Sequence, residues 1–156
     1  MNITLRPAVP SDRDALLALV PRLRSFGDPP LRSSDALDET ERETLTRALD
    51  TPEADALVIV AELARGELGG VAYAQTVTDY FTRERHGHLG IIAVAAEGEG
   101  RGIGRALLVA VEQWATDLGY RFISLNVFAA NARARAMYER AGYALDTLRY
   151  YKELDP

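Results

Sequence analysis

The sequence predicts an α/β domain: a mixed, mostly antiparallel sheet of about six strands, with a central βαβ unit and helices on both faces. Three observations predict it. Two apolar runs around a turn, 57–62 and 68–78, read as a strand hairpin. A glycine-rich turn then joins an apolar strand to a long helix with one unbroken apolar stripe. Finally, 156 residues suit one core and no linker interrupts them, so residues 1–156 form a single domain.

The elements follow in order. Residues 2–6 alternate like a short strand ended by Pro7. Pro10 to Asp14 reads as a helix start, with Ser11 as N-cap and Asp14 completing a capping-box-like pair. Leu16, Leu19, Val20 and Leu23 keep helical spacing, and Pro21 kinks or ends that helix. Ser25 to Ser34 is a loop, followed by an acidic helix from Asp35 to Leu49 that Thr51-Pro52 stops. The strand Leu57–Glu62, the turn Arg65-Gly66-Glu67 and the strand Leu68–Thr78 make the hairpin. His88 to Val94 is the most apolar strand and is expected to be the most central. The stripe Ile103, Ala106, Leu107, Ala110, Val111, Trp114 and Leu118 marks the long helix, which Gly119 stops. A strand at Phe122–Val127, a short helix at Asn131–Arg140 closed by Gly142, and a last strand at Tyr143–Leu154 complete the chain.

Composition narrows the function. Eighteen basic against 23 acidic residues give a net charge of −5, which lacks the footprint of a phosphate-backbone binder, so no nucleic acid is expected. There is no cysteine, which removes disulfides, thiolate metal sites and acyl transfer through a protein thiol. No apolar run approaches the ~20 residues of a membrane span, and Met1 to Pro10 lacks the pattern of a signal peptide. The expectation is a cytoplasmic enzyme or binding module.

The turn Glu97-Gly-Glu-Gly-Arg-Gly-Ile-Gly104 carries the chemistry. Glycines there let backbone approach a ligand, and the first helical N–H groups point at an anion while Arg101 and Arg105 add charge. The P-loop pattern fails because the stretch contains no lysine. The dinucleotide pattern fails because Ile103 or Arg105 stands where its last glycine belongs. What fits is Arg101-Gly102-Ile103-Gly104-Arg105-Ala106, an R-x-x-G-x-A run, read as a pyrophosphate cradle against the alternative of a solvated turn.

These residues resemble the GNAT superfamily of acyl-CoA-dependent N-acetyltransferases. One segment is Leu89-Gly-Ile-Ile-Ala-Val94 followed by Arg101 to Leu108; the other runs from Leu125-Asn-Val-Phe-Ala-Ala-Asn131 through Tyr138 to Gly142-Tyr143. The resemblance implies a single GNAT-like domain that takes acetyl-CoA as cosubstrate and an amine as acceptor, with no metal. It implies that Ile92, Ala93 and Val94 lend backbone groups to the pantetheine arm, with the Val94 N–H as oxyanion donor, on a strand splayed from its neighbour. It places Arg101, Gly102, Ile103, Gly104, Arg105 and Ala106 at the pyrophosphate and makes Tyr138 the general acid on the coenzyme thiolate. Asn131 either bonds the pantetheine or caps the short helix, and Arg133 and Arg135 either reach the nucleotide phosphates or line a solvated face.

The general base is less defined. His86 and His88 share a strand face if both lie in the strand, and His88 is either a base relay or a satisfied histidine. A metal reading of that pair lacks a third ligand of matching spacing. Glu62 and Glu97 are further candidates. The loop 25–34, the acidic helix and Asp79-Tyr80-Phe81 are expected around the acceptor. The reaction expected is direct attack of a primary amine, from a small molecule or peptide, on acetyl-CoA in a ternary complex. A non-catalytic CoA-binding regulatory module and a transferase of longer acyl chains are the alternatives, and a homodimer is left open.

Overall fold

The structure, a computed structural model, describes residues 2–64 and 66–156. Its elements are β1 (Thr4–Pro7), α1 (Arg13–Leu19), α2 (Ser34–Asp50), β2 (Ala56–Glu62), β3 (Leu68–Thr78), β4 (Arg85–Val94), α3 (Ile103–Asp117), β5 (Ile123–Leu125) and α4 (Ala132–Arg140). The strands lie in the order β1-β2-β3-β4-β5, antiparallel except for the parallel pair β4 and β5. The α/β class, the mixed and mostly antiparallel sheet and the two helical faces are as expected from the sequence. The strands number five, and the unit β4-α3-β5 occupies one end of the sheet. The most buried strand is therefore β3, in the middle, rather than β4.

Small residues on β3 seat the long helix. Gly70, Ala72 and Ala74 face α3, and a Cβ on Gly70 would stand 2.9 Å from Ile103 Cγ2 and 3.0 Å from Leu107 Cδ1. Ile103, Leu107, Leu108 and Val111 are buried on that face, with Leu89 and Tyr138. The other face holds α1, the 3-10 turn after it and α2, whose Leu16, Leu19, Val20 and Leu45 pack on Val60, Val71, Tyr73, Ile91 and Ala93.

Strand β4 contains a bulge. Tyr73 pairs with Ile91 and Ala74 with Leu89, which leaves Gly90 as an extra residue. Side chains alternate with period two along a strand, so an inserted residue exchanges the faces. Leu89 accordingly packs beneath α3, whereas Ile91 packs toward α1 and α2.

Four further expectations are corrected. Ser11 is exposed and caps nothing; the first turn is a 3-10 turn at Pro10–Asp12, in which the buried Asp12 carboxylate accepts the Val9 N–H at 2.8 Å and pairs with Arg6. The last strand is absent, since residues 144–156 have no secondary structure. Without a neighbouring strand in the chain, alternating β-forming residues have nothing to pair with. Leu118 lies outside α3 and is largely exposed. Strand β4 starts at Arg85, three residues early, because Arg85, His86 and Gly87 continue the ladder with Thr78, Val77 and Thr76. Helix α1 ends before Pro21, as expected, and a 3-10 turn carries the chain on to Arg24. Of the turn expected at Arg65-Gly66-Glu67, Arg65 lies outside the described residues; Leu63 N–H bonds the Glu67 carbonyl at 2.7 Å across it.

Candidate active site

The site forms where the sheet opens. Pairing between β4 and β5 covers only Gly87–Ile123, His88–Ser124 and Leu89–Leu125. Beyond Gly90, β4 continues to Val94 with a partner on its β3 side alone. The Ala95 N–H bonds the Gly69 carbonyl at 2.9 Å, toward β3. Backbone groups alternate in direction along a strand, so the N–H groups of Val94 and Ile92 point the other way, into the gap. The Val94 carbonyl shares that side and accepts Arg22 Nε at 3.1 Å.

The glycine turn stands at the end of this gap. Gly100 and Gly102 have φ of 74° and 76°, the left-handed region that other residues enter at a cost. The first helical hydrogen bond runs from Ala106 N to Gly102 O, so the amides of Gly102, Ile103, Gly104 and Arg105 precede the intrahelical ladder and face outward. Arg105 is exposed beside them, as is Arg101. Ile103 contributes only its amide, because its side chain is buried against Gly69 and Gly98. A Cβ on Gly104 would meet Met137 Sδ at 3.3 Å and Val94 Cγ2 at 3.6 Å, so the strand end, the α3 N-terminus and α4 converge here. Glu99 in the same turn is held by Arg22 and by Arg133, the latter at 3.3 Å. Arg133 therefore has a carboxylate partner in the protein, and Arg135 bonds the Ala129 carbonyl at 3.1 Å.

Helix α4 brings Tyr138 to the same region. The Asn131 side chain accepts the Ala134 N–H at 3.2 Å and so caps α4, which is one of the two roles open from the sequence. Tyr138 is 7% exposed, and burial pushes its phenol up to about 12. No fully occluded side-chain polar atom lacks a partner among the described residues, and none is found for the Tyr138 oxygen, which thus keeps contact with solvent. Its ring lies 5.7 Å from that of Tyr143, whose hydroxyl donates to Glu112 at 3.0 Å.

His88 lies on the opposite face. His88 Nδ1 and His86 Nε2 each stand 2.9 Å from Ser124 Oγ, so one β5 hydroxyl joins the two imidazoles. His86 is buried and stacked on Phe122 at 4.2 Å, whereas His88 is half-buried, its pKa lowered by burial and by the neighbouring His86. Gln75 is the cross-strand neighbour of His88 on β3. Tyr138 and His88 are thus not brought together: Tyr138 packs in the core on the α3 side, and His88 faces the other side where β4 and β5 are still paired.

Glu62 is removed from the candidate bases, because Arg6 binds it at 2.6 Å at the far end of the sheet. Glu97 is exposed in a 3-10 turn. The loop 25–33 reaches the chain just after β5: Phe26 packs on Phe128 at 5.6 Å and Arg32 lies 5.8 Å over the same ring. Ser33 caps α2, and its acidic side is partly neutralised by the Arg24–Asp38 ion pair. Asp79 is occupied closing its own turn through Phe81 and Thr82 N–H groups. Ser124 and Arg22 were not singled out from the sequence. Ser124 is 36 residues from His88 and Arg22 is 72 from Val94, so no local spacing announces them. No group of three or more metal-ligating side chains occurs among the described residues, and no helix is long and apolar enough to cross a membrane.

An open mixed sheet parted between its two parallel strands, with a helix N-terminus at the mouth of the gap, is the architecture of an acetyltransferase domain. The chain belongs to the acetyltransferase (GNAT) family, whose model matches residues 22–143. It is 30% identical over 143 residues to an aminoglycoside N(6′)-acetyltransferase type 1 of Stenotrophomonas maltophilia, covering 90% of this chain and 85% of the relative. Among solved structures it is similar to an acetyl transferase of Pyrococcus furiosus, with a TM-score of 0.78 and 25% identity over 98% of this chain and all of the other. An aminoglycoside 6′-N-acetyltransferase solved with a bisubstrate analogue joining CoA to an acetylneamine shares the fold at a TM-score of 0.71 and 19% identity, over 99% of this chain and all of that one. The protein is an N-acetyltransferase of this family.

Proposed function

We propose that the protein transfers the acetyl group of acetyl-CoA to a primary amine of a small cationic acceptor of the aminoglycoside kind, by direct attack in a ternary complex. The observation that carries this reading is the gap between β4 and β5 beyond Gly90, along which the N–H groups of Ile92 and Val94 are turned away from β3. The outward amides of Gly102, Ile103, Gly104 and Arg105 suit a pyrophosphate, and Arg101 adds charge beside them. The backbone of Ile92, Ala93 and Val94 suits the pantetheine arm, with the Val94 N–H turned into the gap as the oxyanion donor. Bond making and breaking then divide between the faces. The amine nitrogen bonds the thioester carbonyl carbon, its proton goes to His88, and the carbon–sulfur bond breaks as Tyr138 donates its proton to sulfur, to be resupplied from solvent. The absence of cysteine accords with direct transfer. One relative that matches most of the chain is named for an aminoglycoside, and Asp35 and Glu39, one turn apart on α2, suit a cationic acceptor.

Calorimetric titration with acetyl-CoA, followed by thiol release with a panel of aminoglycosides, polyamines and peptide amines, tests the proposal. Binding at one site per chain and turnover with an aminoglycoside are expected. Binding without turnover on any amine would support the regulatory module instead. No binding by folded protein would overturn both.

A further inference from the structure

Two imidazoles share one hydroxyl where β4 and β5 are still paired. Ser124 stands opposite His88 in the parallel register, and its Oγ lies 2.9 Å from His86 Nε2 and 2.9 Å from His88 Nδ1. The strand is held in this orientation from the α3 side. A Cβ on Gly87, between the two histidines, would meet Trp114 at 3.1 Å and Ala115 at 3.2 Å. His86 is fixed further by burial and by its stack on Phe122. Its other nitrogen, Nδ1, has the Glu84 carbonyl as partner at 3.5 Å. Among the described residues His88 Nε2 has no protein partner, and that ring is half-buried.

Counting protons decides how the three groups share. A hydroxyl has one proton to give, and a neutral imidazole carries one N–H and one bare nitrogen. A carbonyl oxygen only accepts, so His86 Nδ1 is the N–H and His86 Nε2 is bare. Ser124 gives its proton to that bare nitrogen. Toward His88 the hydroxyl then offers a lone pair alone, so His88 Nδ1 carries the proton and Nε2 is bare. The two other orders, in which His86 Nε2 donates, set a bare nitrogen against the Glu84 carbonyl.

We propose that Ser124 and His86 are positioning residues that hold neutral His88 as its Nδ1–H tautomer, with the Nε2 lone pair open to the acceptor amine. The inference rests on His88 as the base of the proposed reaction. It supplies what a lone imidazole lacks, since the free ring favours the proton on Nε2 and accepts none there. The amine proton passes to Nε2, the imidazolium keeps its Nδ1–H on Ser124, and the proton then leaves from Nε2 to solvent. Ser124 and His86 keep their own protons throughout.

The chain has two histidines, so proton–nitrogen correlation spectra of the untagged protein contain two imidazoles, and His88→Gln identifies the one in question. At about pH 8.5, above the ordinary histidine range, His88 is expected with Nδ1 protonated and Nε2 bare. Ser124→Ala should return His88 toward the Nε2–H form. It should also lower kcat by about 10-fold, a part of the roughly 10²–10⁴-fold that a base supplies, with KM for acetyl-CoA unchanged. Ser124→Thr, which keeps the hydroxyl, should restore both. Nε2–H on His88 in the unaltered chain would overturn the proposal, and that spectrum needs no variant to fold. So would a Ser124→Ala chain of native circular dichroism in which His88 keeps Nδ1–H. An unchanged kcat in His88→Gln would instead sink the base reading, while the spectra decide the order of the hydrogen bonds separately.

Discussion

Tyr138 shows how burial limits a chemical role. A phenol pushed up to about 12 is fully protonated near neutrality, which suits a proton donor. The same shift makes complete transfer to a thiolate, whose conjugate acid titrates near ~8.5, uphill by several kcal/mol. In the proposed reaction the proton therefore passes to sulfur only as the carbon–sulfur bond breaks, and solvent reprotonates the phenol. Tyr138→Phe is expected to lower kcat by about 10²-fold, at the low end of general-acid effects, with acetyl-CoA affinity nearly unchanged. Steady-state kinetics beside calorimetry measures both, and an unchanged kcat would remove the assignment. His88 makes the complementary case. Burial and His86 lower its pKa below the usual 6.5, so the neutral, proton-accepting form persists further into acid. The acid limb of kcat/KM is expected below pH 6.5 and should vanish in His88→Gln along with most activity. The same shift costs stability in acid: as pH falls below 6.5 the unfolded chain binds the proton first, so stability declines until the folded imidazole also titrates. At this scale the sequence disclosed residue types and left their partners hidden. The cap by Asn131 was one of two roles legible in the sequence, but the pairing of Glu62 with Arg6 and of Ser124 with two histidines depends on strand register.

Elements were legible in proportion to how local their causes are. The stripe from Ile103 to Val111 repeats at three and four residues, and the helix buries it. Leu107→Ala, at a fully buried site pressed against Gly70, is expected to cost about 2–5 kcal/mol in denaturant unfolding. Asn131→Ala should cost only about 1 kcal/mol, the worth of a helix cap, while also loosening the approach of Tyr138 to the gap. The bulge at Gly90 had no such local signature. Its effect is to turn Leu89 and Ile91 to opposite faces, and only pairing with Tyr73 and Ala74 reveals it. The final strand fails for the converse reason. Its alternation is real, but a strand exists only with a neighbour, and residues 144–156 have none within the chain.

At the scale of the molecule, charged contacts join the parts of the site above the core cluster that Ile103, Val94, Met137 and Tyr138 share. Arg22, from the turn after α1, bonds the Val94 carbonyl and pairs with Glu99, while Arg133 of α4 pairs with the same carboxylate. The glycine turn, the end of β4 and α4 are thereby linked through charged contacts at half-exposed positions, which contribute little each. A ligand that fills the gap and binds the turn would supply what these contacts lack. Binding to the folded state alone stabilises it by about 2.7 kcal/mol at a hundred times the dissociation constant. For a chain of this size that corresponds to a rise in Tm of roughly 5–10 °C. Acetyl-CoA is expected to produce this shift in the unmodified protein and in Tyr138→Phe, whose binding surface is intact. Gly104→Glu should lose it, because the new side chain meets Met137 and sets a carboxylate among the amides that would face the pyrophosphate. Thermal unfolding with and without acetyl-CoA measures all three. If Gly104→Glu kept the full shift while Tyr138→Phe lost it, the coenzyme would sit on α4 and not at the α3 N-terminus, and the glycine turn would serve only to start a helix.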